Sequence, residues 1–192
     1  MSIKLLVGLG NPGQDYAKTR HNAGFWFLDA LAKQSNAVLL TDSKLHAEVA
    51  KLDIVGQRVL IAKPKTYMNK SGQAVLALLN FYKLAPEQML VAHDELDLAP
   101  GTARLKFDGG HGGQNGLRDI MAQLGHGAFH RLRVGIGHPG HKDKVLSWVL
   151  GKPSADHESA ISERVDAAIS LVPSLIAGEF NAAMKTLHTP VV

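Results

Sequence analysis

The stretch "TRHNAGF" sets His21 directly before Asn22 and an apolar helical pattern. A histidine there suits a general base near neutral pH, because its ordinary pKa is about 6.5, but with ten histidines in the chain it reads equally as a surface or capping residue until a partner is found. The positive end of the following helix would favour its neutral, proton-accepting form. "HDELD" places His93, Asp94, Glu95 and Asp97 at the end of an apolar run. Taken alone, these acids admit three uses. A carboxylate can orient a histidine and stabilise the imidazolium formed in reaction. With His93 they can also hold a divalent ion, or they form a plain solvated turn before "LAPG".

Three asparagines add groups that donate and accept at once. Asn11 follows "GLG", Asn69 lies in "PKTYMNKSG" and Asn115 in "GGHGGQNGL". Asn115 also reads as a helix cap, and Tyr67 and Met68 as core. Lys63, Lys65 and Lys70 crowd the "PKTYMNKSG" loop, while Lys106, Arg131 and Arg133 sit on or beside expected strands, followed by Lys142 and Lys144. Basic groups around one crevice suit phosphate contacts. His126 and His130, and His138 and His141, have metal-like spacing without any established frame, so no zinc site is expected. There is no G-x-S-x-G elbow, and with no cysteine a thiol nucleophile is excluded.

"GLGNPG" spells G-x-G-x-x-G after the apolar run "IKLLV". A dinucleotide loop needs its helix to begin inside that motif. Here "QDYAKTRH" intervenes, and no acid sits at a strand end at the required offset. The glycines are therefore read as turn residues that bring Asn11 to the top of the first strand.

These loops need elements to hold them. Strands are expected over "IKLLVGL", a hairpin "AEVAKLDIVGQRVLIAKP", then "QMLVAHDELDL", "TARLKF" and "HRLRVGIG". Helices are expected over "NAGFWFLDALAKQ" with Asn22 as N-cap, "GQAVLALLNFYK" with Ser71 as cap, and "LRDIMAQLG". The alternation predicts an α/β, three-layer sandwich: a mixed, largely parallel twisted sheet with helices on both faces. Loops 8–22, 64–71, 93–97 and 109–116 follow strands and are expected to share one crevice.

At 192 residues, 45% hydrophobic and 20% charged, the chain suits one soluble domain, with 154–192 its helical C-terminal segment. No apolar run is long enough for a membrane span or a signal-peptide core, so a cytoplasmic protein is expected. The net charge is +4, yet residues 154–192 hold 2 Lys+Arg against 5 Asp+Glu, leaving 19 against 12 in residues 1–153. The excess positive charge thus belongs to the part of the chain that carries the loops.

Together "KLLVGLGNPG", "TRHNAGF", "KPKTYMNKSG", "VAHDELDLAPG", "GGHGGQNGL", "HRLRVGIGHPG" and "DKVLSWVLG" resemble the bacterial peptidyl-tRNA hydrolase family, from residue 3 to about residue 153. That resemblance implies an α/β monomer without metal or cofactor that cleaves the ester joining a peptide to the 3′-terminal ribose of tRNA. It implies His21 as base and Asp94 as its orienting carboxylate, with Asn11, Asn69 and Asn115 around the substrate. Tyr16 would lie near the tRNA 3′ end and Met68 along the peptide channel, with Lys106 and Arg133 on the tRNA backbone. Many relatives carry histidine where this chain has Gln114. The competing classes are an RNA-binding module, a nucleotide-dependent oxidoreductase and a metallohydrolase.

Overall fold

The computed structural model describes residues 1–189, so the last three residues of the expected C-terminal segment lie outside it. The strands are β1 (Leu5–Gly8), β2 (Leu40–Asp42), β3 (Ala47–Ile54), β4 (Gln57–Pro64), β5 (Met89–Glu95), β6 (Ala103–Phe107) and β7 (His130–Gly135). They form one sheet in the order β2-β3-β4-β1-β5-β7-β6. Its centre, β4-β1-β5-β7, is parallel, and both flanks are antiparallel. The expected hairpin is β3–β4, closed by Val55 and Gly56, both at positive φ.

Side-chain alternation splits the core into two layers. Leu6, Leu90, Ala92, Leu132 and Val134 face α1 (Ala23–Gln34) and the C-terminal helices. Leu5, Val7, Met89 and Val91 face the layer containing α2 (Ser71–Phe81) and α3 (Asn115–Leu124). A short α4 (Val145–Val149) precedes α5 (Ala155–Ser170), α6 (Val172–Ile176) and α7 (Phe180–His188). Helices on both faces of a mixed sheet match the expected sandwich. Among the described residues, no helix is long and apolar enough to cross a membrane.

The expected helix caps are corrected. Asn22 ends a 3-10 turn (Arg20–Asn22) and makes no cap bond, because its side chain is bonded to Asn11. Ser71 is the first residue of α2, and its hydroxyl donates to the Met68 carbonyl at 2.7 Å. Asp119 on α3 takes over the start of α2 by accepting from the Gly72 N–H at 2.8 Å. Gln114, not Asn115, caps α3 by accepting from the Leu117 N–H at 2.8 Å.

The glycines of "GLGNPG" also need a different explanation. Only Gly13 has positive φ, whereas a Cβ on Gly8 would fall 2.2 Å from the Gly24 carbonyl oxygen and one on Gly10 2.6 Å from Phe25. They are small because α1 lies against the end of β1, not because the chain turns there. From the helix side, a Cβ on Gly24 would meet the Ala92 carbonyl oxygen at 2.4 Å. A Gly24→Ala variant should therefore lift the start of α1, costing about 1–3 kcal/mol. The expected outcome is a melting temperature lower by several degrees, with a fall in kcat as His21 shifts; thermal melts and turnover assays check both.

Candidate active site

The carboxyl ends of the parallel strands carry the site, as open α/β sheets usually do. Asp94, 3% exposed, is the penultimate residue of β5. Across from it, the 3-10 turn before α1 presents His21, 7% exposed. His21 Nδ1 lies 2.8 Å from Asp94 Oδ2. A carboxylate only accepts, so Nδ1 carries the proton and Nε2 is left as the basic nitrogen. Burial alone would push the imidazole pKa down, but the Asp94 charge and hydrogen bond outweigh it and raise it above the ordinary value. Asp94, rather than the helix end, therefore sets this group's basicity.

Asp94 is held from its other side as well. Gln114 Nε2 donates to Asp94 Oδ1 at 2.9 Å while Gln114 Oε1 caps α3. One amide thus fixes both the carboxylate and the helix start. The same Nε2 lies 3.3 Å from Met68 Sδ. Met68, 3% exposed, donates its N–H to Asn11 Oδ1 at 2.7 Å. Asn11 in turn donates its N–H to Asn22 Oδ1 at 2.8 Å and accepts from Asn22 Nδ2 at 2.9 Å. Asn11, itself buried, thus has Oδ1 committed within the protein and is not among the residues lining the cleft at His21.

His21, Asp94, Leu96, Gln114, Asn115 and Leu146 are among the residues lining a cleft of about 300 Å³. Asn115 is exposed there and accepts from Arg118 at 3.1 Å. Asn69 is exposed on the turn before α2 and lines a separate groove between α2 and α3, outside this cleft. Tyr16 is half-buried, edge-on to Tyr67 with ring centres 6.2 Å apart.

Loop 109–116 reaches the cleft by an unexpected route. β6 runs antiparallel, and Phe107 pairs with His130 at the start of β7, away from the carboxyl ends. The glycine-rich segment then crosses to the level of Asp94. Buried Arg131 holds its first part by donating to the carbonyls of Gly109 and Gly110. Nothing local in the sequence signalled this arginine clamp.

Arg104, Lys106, Arg131 and Arg133 alternate onto one face of β6 and β7, opposite Leu105 and Leu132. Lys106 is exposed, whereas Arg133 Nε donates to Glu95 Oε1 at 2.8 Å. Metal binding by "HDELD" finds no support: His93 is buried with Nδ1 on the Asp94 carbonyl at 2.9 Å. No group of three or more His, Asp or Glu able to hold a metal occurs among the described residues.

A buried histidine–carboxylate pair opening into a cleft at the carboxyl edge of an α/β sheet is equipment for proton transfer to and from a bound substrate. Residues 5–191 match the family described as Peptidyl-tRNA hydrolase. The chain is 64% identical over 189 residues to a peptidyl-tRNA hydrolase of Xanthomonas campestris pv. campestris (strain 8004), covering 98% of each. To one of Stenotrophomonas maltophilia (strain R551-3) it is 62% identical over 188 residues, again 98% of each. The crystal structure of peptidyl-tRNA hydrolase from Acinetobacter baumannii superposes with a TM-score of 0.95 at 49% identity, covering 97% of this chain and 95% of that one. The chain belongs to the peptidyl-tRNA hydrolase family.

Replacing Gln114 by alanine removes a hydrogen bond to a buried charge and a helix cap together. The expected outcome is kcat lower by about 10-fold and stability lower by about 1–2 kcal/mol. Steady-state kinetics and a denaturant titration check the two losses.

Proposed function

We propose that the protein hydrolyses the ester between a peptide and the 3′-terminal ribose of peptidyl-tRNA with water activated by His21. Family membership supports the reaction; the observation that carries the mechanism is the buried His21–Asp94 bond, which leaves Nε2 facing the cleft. Nε2 takes a proton from water as its oxygen attacks the ester carbonyl. The proton then passes from the imidazolium to the departing ribose oxygen. An ester needs no covalent nucleophile, which suits a chain without cysteine. Asp94 stabilises the transient imidazolium, and Gln114 keeps the carboxylate in place while it does so.

Asn11 Nδ2 and Asn115 are the amides we assign to the substrate's carbonyl and peptide groups, with Met68 as an apolar wall beside them. Asn69 requires substrate spanning from the cleft toward the α2–α3 groove. Tyr16 is assigned to the tRNA 3′ end. The tRNA backbone is assigned to the basic face, with Lys106 free to reach a phosphate and Arg133 shared with Glu95. The proposal treats residues 1–192 as one domain acting as a cytoplasmic monomer, which gel filtration and fractionation check.

The deciding assay measures release of N-blocked aminoacyl groups from tRNA, with and without EDTA. His21→Ala should lower kcat by about 10²–10⁴-fold while retaining tRNA binding, and EDTA should have no effect. Full activity in a folded His21→Ala protein would refute the mechanism.

The pH dependence has a definite sign. The active base is neutral His21, so kcat/KM should rise with pH through a midpoint above 6.5, the ordinary histidine value. Asp94→Asn should move that midpoint down and lower the rate, because burial then acts unopposed. Stability runs the other way. The raised imidazole pKa contributes stability that is full below the unfolded value and fades as pH rises through the folded one. A pH–rate profile and melts across the same range test both.

Binding of tRNA should weaken steeply with salt, and Lys106→Ala should reduce the slope of log K against log salt by about one. A titration at several salt concentrations measures it.

A further inference from the structure

Arg20 immediately precedes His21 and is 7% exposed, yet its guanidinium has no acid partner among the described residues. Its guanidinium and its N–H both turn to one segment. Nη1 donates to the Trp148 carbonyl at 3.0 Å, and the guanidinium carbon lies 3.5 Å from the centre of the Trp148 ring. The Arg20 N–H donates to the Gly151 carbonyl at 3.0 Å. Trp148 Nε1 in turn donates to the Gly137 carbonyl at 2.9 Å. Residues 148–151 are thereby fastened to the short turn that carries His21, and Trp148 ties Gly137 to them. This segment supplies Lys142, Val145, Leu146 and Val149 to the cleft, and Leu146 is 68% exposed at its rim.

We propose that Arg20 is a positioning residue that locks the α4 wall of the cleft against the His21 turn and thereby sets how tightly the acyl end of the substrate is held. The inference rests on the hydrolytic reading above. A planar guanidinium both stacks on the indole and bonds the carbonyl beyond it, which the point charge of a lysine cannot do. Arg20 touches neither the His21 ring nor Asp94, so its effect belongs in binding rather than in proton transfer.

The test uses the full chain with N-acetylaminoacyl-tRNA and a longer peptidyl-tRNA. Arg20→Lys and Trp148→Leu should each raise KM by about 3- to 10-fold. Their kcat should stay within about twofold of the parent, with the acid-side midpoint of the pH profile unchanged. Trp148→Phe keeps an aromatic face for Arg20 and should restore most of the affinity. Because the two residues act through one contact, the double variant should be no worse than the worse single one. In a Trp26→Phe background, where Trp148 is the only tryptophan, Arg20→Lys should shift its emission to the red.

Parental KM in both single variants overturns the proposal. So does a fall in kcat with a displaced midpoint, which would make Arg20 act through His21. Additive effects would sever Arg20 from Trp148 and overturn it too. If the parent protein itself releases no acyl group, the hydrolytic reading fails instead.

Discussion

The paired hydrogen bonds between Asn11 and Asn22 are the constraint on which the rest of the site depends. They join the loop leaving β1 to the turn entering α1, two segments that the sequence separates by a polar stretch. From Asn11 the connection passes through its side-chain oxygen to Met68, by sulfur contact to Gln114, and on to Asp94 and His21. His21 is adjacent to Asn22, so the chain of contacts closes on itself. A closed ring of contacts, buried except for the part-buried links at Gln114, restrains each member, because a displaced polar group would lose its partner away from water. General-base chemistry needs that restriction, since geometry must be right before any pKa can matter.

Close packing makes the ring possible. Gly8 and Gly24 let α1 touch the main chain of β1 and β5, which brings the His21 turn within hydrogen-bond reach of Asp94. The glycine motif at the end of β1 thus serves helix–strand contact without a nucleotide. Its resemblance to a dinucleotide fingerprint is partial, and the displaced helix start is the feature that separates the two.

Two buried arginines give the cleft its walls. Arg131 holds the glycine-rich segment and Arg20 holds the segment around α4, each through main-chain carbonyls rather than through a carboxylate. Carbonyl acceptors do not titrate, so such clamps keep their geometry over the pH range in which His21 changes charge. The exposed positive groups Arg104 and Lys106 on β6 lie apart from the residues that line the cleft. In the function proposed above, chemistry and tRNA attachment would fall on neighbouring but distinct parts of the sheet.

Much of the fold was legible in the sequence, because each strand and helix advertises its own hydrophobic period. The β3–β4 hairpin, the position of α1 and every strand but the short, mostly exposed β2 (Leu40–Asp42) follow from residues close together in the chain. The types of His21, Asp94, Asn11 and Asn115 already named the chemistry available. Pairing was a different matter: nothing local to His21 selects Asp94 from seventeen acids. Side chains read as caps, Asn22 and Ser71, found other partners, since a tertiary contact competes directly with the local one. Gln114, read only as a departure from the common histidine, became a link between helix and carboxylate. The exposure of Asn69 and the commitment of Arg133 to Glu95 were likewise invisible in spacing. The sequence by itself determined the elements, the charge distribution and the reactive groups, all properties of short segments. Only the tertiary structure decided which group meets which, because that depends on strand order and on how closely α1 lies against the sheet.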